Sequence, residues 1–159
     1  MDSVTIRRNV FLRAIVTPNL RQDLQQELQN AADEIDQRIA EIDAQTRHYV
    51  TDLQRTDLQQ AMALRKRIEA EKRNHLDQRD ALLERKAQVA ELQDGTEVLR
   101  GTLESYVDIK VGDNITELLG GVEIVAKDNE VVEIRQRHML DDEEVPVTPI
   151  IQAGSQSDS

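Results

Sequence analysis

Cysteine and tryptophan are absent, and Phe11, Tyr49 and Tyr106 are the only aromatic side chains. The lack of Cys excludes disulfides, thiolate metal sites and thiol nucleophiles, and it fits a reducing, cytoplasmic compartment. So few aromatics leave no platform for stacked bases or sugars and little to anchor a large core. Long apolar runs are missing too. The N-terminal stretch that follows Arg7 and Arg8 is broken at Arg13, so neither a signal peptide nor a membrane span is expected. Glycine and proline are absent from residues 19 to 94, so nothing there forces a helix to end.

What the chain does have is charge, unevenly placed. Its net charge is −11, and residues 93 to 159 hold 15 of the 31 acidic side chains against 5 basic ones, whereas residues 56 to 92 hold 8 basic and 7 acidic. A pI near 4.7 argues against a protein whose affinity comes from neutralising phosphates, because that affinity scales with the number of Lys and Arg contacts.

Val4 to Val16 alternate in polarity, with Arg8 the exception on the apolar side, and predict a half-buried strand. Thr17-Pro18 then predicts a helix start, Thr as cap and Pro at the first helical position. A helical pattern runs from residue 18 to residue 94. As one straight rod it would span roughly 115 Å and part the strands on either side of it. A reversal near the middle is therefore expected. Thr51-Asp-Leu-Gln54 and Thr56-Asp-Leu-Gln59 both match the capping-box pattern, which places the tip within residues 49 to 58, with Tyr49, Asp52, Arg55 and Asp57 as tip residues.

On the first helix Leu28, Ile35, Ile42 and Tyr49 recur every seven residues, interleaved with Ala32, Ile39, Thr46 and Leu53, as a coiled-coil seam requires. The second helix carries one apolar column of Ile68, His75, Leu82 and Val89 and another of Leu76, Leu83 and Ala90. Between them runs a basic row of Arg65, Lys72, Arg79 and Lys86. Either the two columns face two neighbours, or they form one wide stripe with basic stems lying along it. Glu27, Glu34 and Glu41 repeat at the same interval on the first helix and could pair with the basic row. The expected partner-binding residues are Arg65, Lys72, Leu76, Arg79, Leu83 and Lys86.

Asp94-Gly95 is expected to close the helical region, and the period then becomes two. Leu99, Leu103, Val107, Ile109 and Val111 would share one strand face. One helical turn near Asn114 to Leu119 follows, then a hairpin across Asp128-Asn129. The expected fold is α+β: a long antiparallel helical hairpin (coiled coil) inserted after the first strand of a small, mostly antiparallel, four-stranded β domain. Its divisions are residues 1–17, 18–94, 95–140, and an acidic, Pro- and Ser-containing tail at 141–159 whose composition is that of disorder. Within the tail, residues 145–151 could lie extended along a sheet edge.

Gly95-Thr-Glu-Val98, Val107-Asp-Ile-Lys-Val-Gly-Asp113, Ile124-Val-Ala-Lys-Asp128 and Val131-Val-Glu-Ile-Arg135, behind a strand and a Gln/Glu/Arg-rich helical region, resemble the YlqD family of small bacterial proteins over residues 3 to 137. The resemblance implies no assigned activity and no catalytic residues. The family's genes often lie near ribosome-maturation genes, which implies a translation-related role. This chain departs from the family pattern in its acidic balance and acidic tail.

No chemistry-bearing constellation is expected. His48, His75 and His138 are scattered, Asp141 to Glu144 lack the glycine-centred ligand spacing of a calcium loop, and no phosphate loop or nucleophile elbow is present. The reading is of a non-enzyme without cofactor or metal: a cytoplasmic interaction or scaffold protein that binds a protein partner or self-associates as a homo-oligomer. RNA or ribosome binding through Arg65, Lys66, Arg67, Lys72 and Arg73 is the alternative. A further one is a coiled-coil probe of a transcription or translation machine, with Asp52 and Asp57 at its tip.

Overall fold

The computed structural model describes residues 1–137 and 146–147. The element order is β1 (Ser3–Ile15), α1 (Pro18–Thr56), α2 (Leu58–Ala90), β2 (Glu97–Lys110), α3 (Ile115–Leu119), β3 (Val122–Lys127) and β4 (Glu130–Gln136). They form two compact units, Met1–Gln22 with Leu92 onward, and Asp23–Glu91. The acidic run and most of the expected tail strand lie outside the described residues.

In the first unit the sheet order is β2-β1-β3-β4. β1 and β2, which flank the helices in sequence, pair antiparallel from Ser3↔Lys110 to Ile15↔Glu97, as the doubling-back of the chain requires. The sheet is mixed, however: β1 and β3 pair in parallel from Val10↔Val122 to Ala14↔Ala126. Gly112 (φ +103°) and α3, capped by the Asn114 side chain accepting from Thr116 N–H, carry the chain across to the far side of β1. Gly121 (φ +80°) opens β3 where a Cβ would run into the carbonyl oxygen of Asn9, so only glycine lets the two backbones approach. The β3–β4 turn is made by Asp128 and Asn129, both at positive φ, as a two-residue hairpin demands.

A bulge pairs Leu12 with Gly101 but Arg13 with Leu99. Leu99 therefore shares a face with Arg13, opposite to Leu103, where simple alternation places them together. Among the described residues of this unit, Val16, Val98, Leu99 and Val125 are the buried apolar ones. Thr17 caps α1 as expected: its hydroxyl accepts from Leu20 N–H (3.1 Å) and donates to Asp128 Oδ1 (2.7 Å).

In the second unit α1 and α2 run antiparallel. Lys86 Nζ reaches Gln29 Oε1 at 2.7 Å, Arg79 Nε lies 2.9 Å from Asp36 Oδ1, and Lys72 Nζ lies 2.8 Å from Asp43 Oδ1. Each step of seven up α1 is matched by a step of seven down α2. Leu24, Leu28, Ala32, Val50, Ala61 and Val89 are buried. The reversal needs one residue. Asp57 sits at φ −148°, ψ 97°, and its carboxylate accepts from Gln60 N–H, so a single extended residue with its own cap replaces a glycine turn.

Three sequence expectations shift. The cap is Asp57, not a capping-box Thr; Thr51 Oγ1 instead donates back to the Arg47 carbonyl. Tyr49 is 63% exposed, and Val50 takes its place inside. α2 ends at Ala90 with Glu91 as C-cap, not at Asp94. Gly95 (φ +89°) instead donates its N–H to the Val16 carbonyl at the start of the sheet.

Candidate interaction surfaces

The basic row of α2 was expected to lie between two apolar columns. The structure turns most of it inward along the α1–α2 contact, where Lys72, Arg79 and Lys86 meet Asp43, Asp36 and Gln29. The acidic partners are thus Asp36 and Asp43, while Glu34 and Glu41 are exposed. The direct bond to Asp43 holds the Lys72 ammonium above its ordinary pKa, outweighing its partial desolvation; the charges of Asp43 and Glu69 add to the effect. Arg65 is exposed and faces the Gln54 side chain. Leu76 and Leu83 are half-buried, and Lys66, Arg67 and Arg73 are exposed. At the tip, Tyr49, Asp52 and Arg55 are exposed and Asp57 is engaged as the cap. His48 is exposed, His75 is half-buried in the helical unit, and His138 lies outside the described residues.

The sheet holds a second cluster that sequence reasoning missed. Arg13 and Glu123 pair at 3.1 Å with side chains only 11% and 15% exposed. Arg135 reaches Glu97 at 2.7 Å and lies 3.5 Å from Glu123. Because β2 and β4 are the outer strands, a flat sheet would hold them about 14 Å apart. The Glu97–Arg135 pair shows that the sheet curls over this charged face. Its hydrogen bond to Glu97 raises the Arg135 pKa further above the ordinary guanidinium value against partial desolvation, with the charges of Glu97, Glu133 and Glu123 adding. Buried Arg137 lies over the Phe11 ring at 4.0 Å. Period-two alternation puts Phe11, Arg13 and Glu123 on what reads as a solvent face; the one available signal was Phe11 among them.

A shallow cavity of about 430 Å³ lies where β1 enters α1, lined by Thr17, Asp94, Lys127 and Asp128 among others. Within it Thr17 is bound to Asp128, and Asp94 is bound to Arg21. Among the described residues, no three His, Asp or Glu side chains converge to hold a metal ion, and no helix is long and apolar enough to cross a membrane.

A mixed four-stranded sheet with a helical hairpin inserted between its first two strands defines the structural class. The chain matches the family described as YlqD protein over residues 4–135, and it belongs to that family. It is also similar to a solved structure of a protein of unknown function from Synechococcus sp. WH 8102, with a TM-score of 0.71 and 29% identity, covering 84% of this chain and 95% of that one. No curated protein matches.

Proposed function

We propose that this YlqD-family chain is a non-enzymatic, cytoplasmic interaction protein that uses its helical hairpin to bind a protein partner or a second copy of itself. The observation that carries this reading is the direction of the basic row. Lys72, Arg79 and Lys86 are engaged by α1 within the hairpin, so the residues best placed to hold phosphates already have partners. The remaining surface carries Leu76 and Leu83, each with apolar area still open to a neighbour. Completing the burial of one such half-buried side chain contributes only a fraction of the about 1.5–3 kcal/mol that full burial of a Leu is worth.

Lys66, Arg67 and Arg73, exposed on α2, support RNA binding as a second reading. The tip-probe reading has less support, because Asp57 is engaged as a cap. Capture from cell lysate separates the first two. The interaction reading expects a discrete protein, or the chain itself, retained at about 0.5 M salt and lost on Leu76→Gln/Leu83→Gln. RNA binding expects nucleic acid that is lost with salt and on Lys66→Ala/Arg67→Ala/Arg73→Ala. Retention of RNA alone would reject the protein-interaction reading.

A further inference from the structure

We propose that β4 is a dimerisation edge on which a second copy of this chain pairs antiparallel, about a two-fold axis at Ile134. β4 ends the sheet order, and no described strand lies beyond it. Outer strands are guarded by Pro, charged side chains or bulges. β4 carries Glu130, Glu133, Arg135 and a bulge at Val132 but no Pro or Lys, and Val131, Val132 and Ile134 stand 56%, 52% and 68% exposed.

The hydrogen-bonding phase fixes which backbone groups are available. Arg137 N–H donates to the Gly121 carbonyl. In an antiparallel ladder the polar groups of successive residues alternate in direction. Arg135 and Glu133 therefore point theirs at β3, and Gln136 and Ile134 point theirs outward.

Side-chain chemistry then selects the register. Directly opposed residues must share a sheet face, so a two-fold axis normal to the sheet has to pass through a residue. An axis at Glu133 or Arg135 sets like charges face to face. One at Val132 falls on the bulge, where Ala126 pairs with Val131 but Val125 with Glu133. Centring on Ile134 opposes the two Ile134 side chains and sets Glu133 against Arg135 of the second copy twice over, an arrangement complementary in charge. Ile134 lies on the same face as Ile124, Leu12 and Val10, so the apolar faces of the two sheets would become continuous.

This proposal is independent of Leu76 and Leu83, and its failure would leave the hairpin reading intact. The absence of Cys makes the test direct, because Val132→Cys, Glu133→Cys and Ile134→Cys each carry a single thiol. Opposed residues of a hydrogen-bonded pair lie about 5.5 Å apart at Cα, inside disulfide range. The corresponding self-distances are about 8 Å at 133 and about 14 Å at 132. Mild oxidation should give roughly tenfold more covalent dimer at 134 than at 132. Equal cross-linking, a maximum at another position, or none would overturn the proposal. Ile134→Pro removes only the outward N–H and should turn a wild-type dimer into a folded monomer in sedimentation. A monomeric wild type, or a dimer that persists in Ile134→Pro, would also refute it.

Discussion

At the scale of single residues, four positions hold more than their neighbours show. Asp57 is the only residue between α1 and α2, and its carboxylate satisfies a donor the reversal would strand. Asp57→Ala should cost about 1 kcal/mol while Asp57→Asn costs little, read by chemical denaturation. Gly112 and Gly121 both sit at positive φ, but nothing lies near a Cβ at Gly112. Gly112→Ala should therefore cost about 1–2 kcal/mol. Gly121→Ala adds the clash with Asn9 and should cost about 3 kcal/mol or more, or prevent folding. Lys72 makes a prediction in pH. Its raised folded pKa means that the stabilisation is complete below the ordinary value of 10.5 and fades as pH climbs through the higher folded value. Wild type should lose thermal stability faster than Lys72→Met across that alkaline window.

At the scale of elements, the hairpin was legible because residues 19 to 94 lack breakers while the strands on either side need each other. The tip fell within the expected window. The cap itself was not legible, because Thr56 and Asp57 are adjacent and both accept hydrogen bonds. Tyr49 continues a strict heptad, yet the buried position is Val50, since near the tip the contact follows fours from Ile42 through Thr46. Val50→Ala should cost about 1.5 kcal/mol and Tyr49→Ala almost nothing, checked by thermal unfolding. The direction of the basic row was hidden because Lys stems suit either a seam or a surface. Asp36 and Asp43, the partners of Arg79 and Lys72, were hidden because Glu34 and Glu41 keep the same spacing. Parallel pairing of β1 with β3 was equally hidden, since alternation records a face and not a strand direction. Leu99 changed face at a bulge that leaves no mark in the pattern.

At the scale of the molecule, a net charge of −11 and inward-turned cations predict that the chain is not retained on heparin at about 0.15 M salt. Retention there would revive RNA binding. β1 is flanked by strands on both sides only over residues 10 to 14. Those amides should exchange with solvent most slowly, and the Ser3–Arg8 end, bordered only by β2, should exchange faster.

That central position also governs how the protein is made. β1 leaves the ribosome well before its earliest partner, β2, which begins only at Glu97. At roughly 5–20 residues per second, the opening segment stays without a neighbour for about 5–20 seconds. The intervening helices can fold locally in that time, so the order of birth makes the hairpin the early product and the sheet the late one. During this interval the nascent β1 presents an uncovered apolar face to whatever chaperones wait at the exit.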